Sequence, residues 1–354
     1  MALALVTGSN GLVGSESSFF LLDKGFDVIG IDNNERRLLF GKEASTSWIK
    51  KKLKKYSKKY HHLNANIVNY NLLEKIFKKY KKFDLIVHAA AQPSHDWAYQ
   101  NPILDFNINS SGTLNLLELT KKYSSNSVFI FTSTNKVYGD NPNNLNFIEK
   151  DQRWEILKSD KYFNGIDEKF SIDNCKHSLF GASKLYADII VQEYGKNFGI
   201  RTVSFRSGCI TGPNHSGAEL HGFLSYLVKI CMKNNFYNII GYNGKQVRDN
   251  IHSSDLINCF WEFYKKPSCG EIYNIGGGRF SNCSILEAIK IVEKKISKKI
   301  KLSIQKKSRI GDHKWYITNL SKFKSHYPHW KQKYNTEIII SELVSKNIFD
   351  SKKN

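Results

Sequence analysis

Several absences narrow this 354-residue chain before any motif is considered. The six cysteines, Cys175, Cys209, Cys231, Cys259, Cys269 and Cys283, form no CxxC pair and keep no regular spacing. That pattern argues against a disulfide framework and fits buried free thiols in a reducing cytoplasm; no metal site is expected. No apolar run approaches the ~20 residues needed to cross a bilayer, so no membrane partner is expected. The opening "MALALVTGSNGLVG" lacks a basic leading region and runs straight into a glycine loop, which reads as a first strand rather than a signal peptide. Arginine is also scarce: only eight of the 53 basic residues are arginine, against a net charge of +21. Base readers favour the bidentate guanidinium fork, so the charge does not imply a nucleic-acid partner.

What is present is ample apolar material, 41% hydrophobic residues with 13% aromatics, enough for one large or two modest domains. The lysines fall on amphipathic stretches. In "WIKKKLKKYSKKY" the apolar positions Ile49, Leu53, Tyr56 and Tyr60 make one helical stripe and lysines cover the rest, which reads as a solvated face.

The N-terminal half alternates strand and helix. "LALVTG", "DVIGID", "DLIVHAAA", "VFIFTST" and "TVSFRSG" are apolar strand runs. Between them lie helical stretches such as "SESSFFLLDKG", "GTLNLLELTKKY" and the repeat of Leu73, Ile76, Phe77 and Tyr80. Repeated βα units predict an α/β fold, a doubly wound parallel sheet covered on both faces. After about residue 206 the pattern loosens, which suggests a smaller C-terminal domain. The expected division is a dinucleotide-binding domain over 1–206, with a returning segment near 247–268, and a substrate domain over 207–246 and 269–354.

"VTGSNGLVG" places Gly8, Gly11 and Gly14, with Asn10 and Leu12 among them, between a strand and a helix. Gly8 permits the turn, Gly11 lets backbone approach a pyrophosphate, and Gly14 allows close helix–strand packing. The helix N-terminus then faces the diphosphate charge. Asp32, followed by Asn33, ends the next strand, where a carboxylate can accept both ribose hydroxyls and oppose a 2′-phosphate; NAD is the expected cofactor. Arg36 and Arg37 lie nearby.

The TGxxGxxG spacing resembles the extended short-chain dehydrogenases, the NAD-dependent epimerases/dehydratases, and the resemblance runs nearly end to end. "NANI" resembles the adenine-contacting pair, at Asn66 and Ile67. "HAAAQPS", with Ala89, Ala90, Ala91 and Gln92, resembles the loop beside the nicotinamide ribose, and "NINSSGTLNLLE" carries the Asn109 turn. Within the family, "STNKVYGD" together with "GKQVRD" most resembles the CDP-paratose 2-epimerase branch. The resemblance implies a cytoplasmic enzyme, a homo-oligomer, with a nucleotide-sugar substrate, a CDP-sugar being favoured. It implies epimerisation by transient oxidation and re-reduction; a nucleotide-sugar dehydrogenase and a non-catalytic NAD-binding protein are the alternatives.

The reacting positions implied are Thr134, Phe180 and Lys184. Phe180 stands where the family has a tyrosine, in "HSLFGASK", and so lacks the hydroxyl that exchanges protons. With that hydroxyl gone, the proton is expected to pass to Lys184, or to Lys136 through Thr134. Asn135 and Lys136 stand where 4,6-dehydratases place Asp and Glu, which counts against dehydration. Arg248 in "QVRD" and Arg309 in "SRIGDHK" resemble the pair that binds a substrate diphosphate. Asn214 and Gln92 are further substrate candidates, and Cys209 stands where many relatives have asparagine. His95, His177 and His215 are candidates for sugar contacts or for a substitute base.

Overall fold

A computed structural model describes residues 2–215, 217, 222–233, 235–308 and 311–351. The chain forms two compact units, each assembled from three segments: Met1–Val137, Ser178–Arg206 and Ile257–Tyr273 in the first, Tyr138–His177, Ser207–Leu256 and Asn274–Asn354 in the second.

The first unit is organised by a seven-stranded sheet. Its strands are β1 (Leu3–Thr7), β2 (Asp27–Ile31), β3 (Tyr60–Leu63), β4 (Leu85–His88), β5 (Val128–Thr134), β6 (Arg201–Ser207) and β7 (Glu271–Ile275). Their order is β7-β6-β5-β4-β1-β2-β3, and the β1–β2, β1–β4, β2–β3 and β4–β5 pairs are parallel. The chain winds outward one way from β1 and the other way from β4. That reversal is where a doubly wound sheet opens its crevice, at the carboxyl ends of the strands.

Near-continuous apolar strands are what a sheet buried on both faces requires. Leu5, Ile29, Ile86, Phe129 and Phe131 supply its core, packed with Leu73 and Phe77 of one helix and Leu116 and Leu117 of another. The helices that matter below are α1 (Leu12–Asp23), α2 (Ser47–Tyr56), α3 (Tyr70–Tyr80), α4 (Gly112–Tyr123) and α5 (Leu179–Phe198). In α2 the expected stripe is shorter than its periodicity suggests. Ile49 and Leu53 are buried, Tyr56 is exposed, and Tyr60 leaves the helix altogether to open β3. The helix ends at Tyr56 because four residues of "SKKY" turn the chain into an extended edge strand, where Tyr60 is buried for a different reason described below.

The second unit has its own core, built from Leu224, Leu227, Ile289 and Ile340 among others. A three-stranded sheet joins Val247–His252, parallel to Cys209–Thr211 and antiparallel to Asn282–Ser284. The helix Ile285–Ile296 starts with a capping box, Ser284 and Glu287 each satisfying the other's backbone N–H. Buried Asp249 accepts the N–H groups of Gly277, Gly278 and Thr318, tying the "NIGGG" turn to this sheet. All six cysteines are free, but they are not uniformly buried: Cys269 is exposed, and Cys175 and Cys209 are half-buried. No helix among the described residues is long and apolar enough to cross a membrane.

Candidate functional site

The glycine loop sits where β1 meets α1. Gly8 has φ +65, a conformation that disfavours side chains, and a Cβ there would lie 2.7 Å from the Ala90 amide nitrogen. At Gly14 a Cβ would strike the Gly8 carbonyl oxygen, so α1 approaches the loop more closely than any other residue allows. Gly11 caps α1 without a side chain, and its own Cβ would meet only the Gly8 oxygen. No side chain of Gly11 therefore covers the helix N-terminus, where an approaching anion would meet backbone.

Asp32 follows β2. Its carboxylate accepts from the Asn10 amide at 3.0 Å and the Asn34 amide at 2.7 Å, and burial raises its pKa against those bonds. Asn33 is exposed and bonds Glu35. Arg36 is half-buried, its pKa pushed down to about 10 by desolvation, and lies over the Phe40 ring, while Arg37 is exposed. The Asn66 side chain accepts from the Val68 amide at 3.0 Å, and Ile67 is buried against Gly112. Ala89, Ala90 and Ala91 follow β4 half-buried, and Leu12 opens α1.

These residues fit a dinucleotide. The cradle at Gly8 and Gly14 would be filled by any side chain, and Asn10 Oδ1 is buried with no hydrogen-bond partner beside the loop. Its spacing puts Tyr60 on a helix stripe, but its hydroxyl meets Ser9 Oγ at 2.9 Å, and Gly30 leaves the room for both. Burial pushes the Tyr60 phenol up to about 12, so it stays neutral.

At the carboxyl end of β5, Thr134 is half-buried and its Oγ1 accepts from the Lys136 amide at 3.2 Å. Asn135 and Lys136 are half-buried in the following turn. Lys184, on α5, is 3% exposed. Its Nζ donates to the Thr132 carbonyl at 2.8 Å and lies 4.1 Å from the centre of the Phe131 ring. Desolvation lowers its pKa to about 7, with Asp188 and Asp105 opposing that fall. On the same helix, buried Asp188 accepts from Ser133 of β5 at 2.5 Å and pairs with Arg206 of β6 at 2.7 Å, so it ties α5 to both strands. His88, wholly buried between Thr7 and Thr113, is pushed down to about 3 by burial and remains neutral.

Gln92 and Asn109 belong to a buried knot that no local pattern announced. Its centre is Asp105, 1% exposed, which accepts from Gln92 Nε2 at 2.6 Å, Asn109 Nδ2 at 3.0 Å and Ser183 Oγ at 2.6 Å. The Gln92 side chain is thus engaged inside the first unit rather than presented at its surface. A carboxylate four residues before Asn109, in an otherwise apolar turn, was the available signal.

Phe180 is 7% exposed near the start of α5. Its ring meets the His95 ring edge-on, centroids 4.8 Å apart, and His95 Nδ1 lies 2.8 Å from Ser178 Oγ. In the second unit, Arg248 is held by Asp312 at 2.6 Å and by the His313 carbonyl at 2.7 Å. Asn214 lies half-buried after the strand that holds Cys209, followed by His215. His177 packs against Cys175 at 3.6 Å. Arg309 lies outside the described residues. Among the described residues no group of three or more His, Cys, Asp or Glu could hold a metal ion.

Comparison with known proteins places these features in a family. The chain is 33% identical to CDP-paratose 2-epimerase of Salmonella typhi, over 82% of this chain and 83% of that protein. Its fold matches UDP-glucose 4-epimerase from Bifidobacterium longum in complex with NAD+ and UDP, with a TM-score of 0.81 at 21% identity and full coverage of both chains. It also matches a tyrosine-to-phenylalanine variant of UDP-glucuronic acid 4-epimerase from Bacillus cereus, in complex with UDP-4-deoxy-4-fluoro-glucuronic acid and NAD. There the TM-score is 0.78 at 23% identity, over 97% of this chain and 98% of that one. The model of the NAD dependent epimerase/dehydratase family matches residues 4–276, from the first strand past the last strand of the sheet, and the chain belongs to that family.

Proposed function

We propose that this chain is an NAD-dependent nucleotide-sugar epimerase that inverts a sugar carbon by transient oxidation and re-reduction, with a CDP-sugar as its favoured substrate. The observation that carries the reading is the conjunction, within one unit, of a cradled glycine loop, the Asp32 carboxylate and a buried lysine of lowered pKa. The 33% identity to a CDP-paratose 2-epimerase supports the choice of sugar nucleotide.

In this reading the first unit binds NAD. Backbone at Gly11 and Leu12 faces the diphosphate, Asp32 and Asn33 take the adenosine ribose, and Asn66 and Ile67 flank the adenine. Ala89, Ala90, Ala91 and Lys184 line the nicotinamide end, and the Asn109–Asp105 knot holds that loop in place. Bound NAD supplies a hydride acceptor that can return the hydride to the other face of the sugar carbon. Thr134 orients the reacting hydroxyl. Asn135 cannot titrate and Lys136 carries the wrong charge for an elimination acid–base pair, so the oxidised sugar is not dehydrated. The second unit binds the nucleotide sugar, Arg248 with Arg309 on the diphosphate and Asn214 near the sugar; Gln92 contributes through the loop it holds. The protein acts as a cytoplasmic homo-oligomer.

The test is incubation of the NAD-loaded protein with CDP-paratose, and separately with UDP-glucose, followed by proton NMR of the sugar. We expect the C2 epimer from CDP-paratose, no reaction of UDP-glucose at a comparable rate, and no net accumulation of NADH. Stoichiometric NADH release would instead mark a dehydrogenase, and retained NAD with no turnover a binding protein.

A further inference from the structure

Resting on that reading, we propose that Asp105 is a positioning residue of the reaction, a fixed buried anion that acts through Lys184. It holds the lysine's helix in register and keeps the ammonium in its charged form. Asp105 lies in the short helix Pro102–Phe106 and is 1% exposed. A carboxylate so placed is costly unless donors surround it. Two of its three donors have a fixed orientation. The Ser94 amide N–H bonds Gln92 Oε1 at 2.5 Å, and the Gln92 amide N–H bonds Asn109 Oδ1 at 2.9 Å. Both side-chain NH2 groups therefore face Asp105 Oδ1.

The third donor is Ser183 Oγ, 2.6 Å from Asp105 Oδ2, and Ser183 immediately precedes Lys184 on α5. Ser110 Oγ donates to the Ser183 carbonyl at 3.0 Å. Helix α5 is thus tied, at the residue before the lysine, to the loop after β4 and to the π-helical turn Asn107–Ser111. Because Oδ1 takes two N–H groups, a proton on the Asp105 carboxyl could sit only on Oδ2.

The charges around Lys184 give that carboxylate its second task. Nζ donates to the Thr132 carbonyl of β5 rather than to a carboxylate. The titratable groups that face it are Asp188, one turn further along α5, His88 of β4, and Asp105. Asp188 is already paired with Arg206 of β6, and His88 stays neutral. Asp105 bonds neutral donors, so its charge, unlike that of Asp188, is not offset by a bonded cation. Burial draws Lys184 towards its neutral form, and Asp188 and Asp105 oppose that. In return, burial pushes the Asp105 carboxyl up, while the Ser183 and Gln92 bonds and the Lys184 charge hold it down. Lys184 would lose its proton more readily still beside an oxidised nicotinamide, and a fixed anion opposes that loss.

The experiment compares wild type, Asp105→Asn and Lys184→Met. Asp105→Asn removes the charge and can keep the bonds: its carbonyl oxygen faces the two amides and its NH2 faces Ser183 Oγ, whose proton turns to the Phe180 carbonyl 3.0 Å away. Carbon-13 NMR follows Lys184 Cε and Asp105 Cγ with pH in the ligand-free protein, and calorimetry follows NAD affinity with pH. We expect Asp105 to be ionised at pH 7 in the wild type. The Lys184 midpoint should lie about half a pH unit or more lower in Asp105→Asn, and the Asp105 midpoint should rise by a similar amount in Lys184→Met, since coupled sites shift each other equally. NAD affinity of Asp105→Asn should be at least about threefold weaker than wild type at pH 8 and approach it at pH 6, where the lysine is charged in both. A brace without an electrostatic role would weaken binding equally at both pH values. An unchanged Lys184 midpoint in Asp105→Asn, or a protonated Asp105 at pH 7 in the wild type, overturns the proposal whatever the activity. The wild-type and Lys184→Met signals decide the matter even where Asp105→Asn does not fold. If the wild type turns over neither CDP-paratose nor UDP-glucose, the epimerase reading fails while these titrations still decide the role of Asp105.

Discussion

At Lys184, burial and charge oppose each other in a way that can be measured. Its pKa falls from 10.5 to about 7 because desolvation outweighs the attraction of Asp188 and Asp105. Between pH 7 and 10.5 the unfolded chain therefore binds a proton that the folded chain does not, so stability rises with pH across that window. Below pH 7 the lysine is charged in both states and the burial penalty is fully present. The urea midpoint of the NAD-free protein should rise, relative to Lys184→Met, from pH 7 to pH 10; a pH-independent difference would show that Nζ is better solvated than its surroundings imply. Asp32 gives a second residue-scale outcome. A 2′-phosphate would bring two negative charges to a carboxylate already desolvated, so calorimetry should give tighter binding for NAD than for NADP. The third concerns Tyr60. Tyr60→Phe leaves Ser9 Oγ buried without its partner and should weaken NAD binding by about 1 kcal/mol, seen as a several-fold rise in Kd with the far-UV spectrum unchanged. Sequence alone marked Asp32 and Lys184 because short motifs hold them. It does not mark the Tyr60–Ser9, Asp105–Gln92 or His95–Phe180 contacts, because those partners are 13 to 85 residues apart in the chain and no periodicity links them.

Elements were more legible than side-chain contacts. The runs "LALVT", "DVIGI", "LIVH" and "VFIFTST" became strands with the parallel order expected, since a buried parallel strand needs little more than a β-favouring apolar run between turns. Alternatives arose where two periods compete. Tyr60 falls on a helical stripe by spacing yet sits in β3, because Gly30 on the neighbouring strand leaves a space its ring fills. The Asn107–Ser111 turn is a π-helical segment leading into α4, and nothing in "NINSS" distinguishes it from an ordinary helix start. The glycine loop permits an element-scale prediction. At Gly14 an added methyl would meet the Gly8 carbonyl and, at 2.9 Å, the Ser9 Cα, both backbone atoms that cannot swing aside. Gly14→Ala should push α1 away from β1, destabilise the protein by ~1–3 kcal/mol in thermal or urea unfolding, and raise the NAD Kd far more than Tyr60→Phe does.

Over the whole molecule, each of the two units is stitched from three separated segments. The net charge of +21 does not identify a partner either, since lysines such as those of α2 lie on an exposed face while Ile49 and Leu53 hold the helix to its core. The division does make cofactor and nucleotide binding separable in experiment. Ligand that binds only the folded state adds RT ln(1 + [L]/Kd), about 2.7 kcal/mol at a hundredfold excess over Kd, and so raises the melting temperature. Wild type should show such a rise with NAD and a separate one with CDP. Gly14→Ala should lose the NAD response and keep the CDP response. Arg248→Ala should do the reverse: without the guanidinium that Asp312 and the His313 carbonyl now hold, CDP affinity should fall by ~2 kcal/mol or more, as for lost charge-assisted bonds, while the NAD shift stays unchanged. If Arg248→Ala responds to CDP as wild type does, the diphosphate is held elsewhere, and the Arg248–Asp312 pair is a brace of the second unit alone.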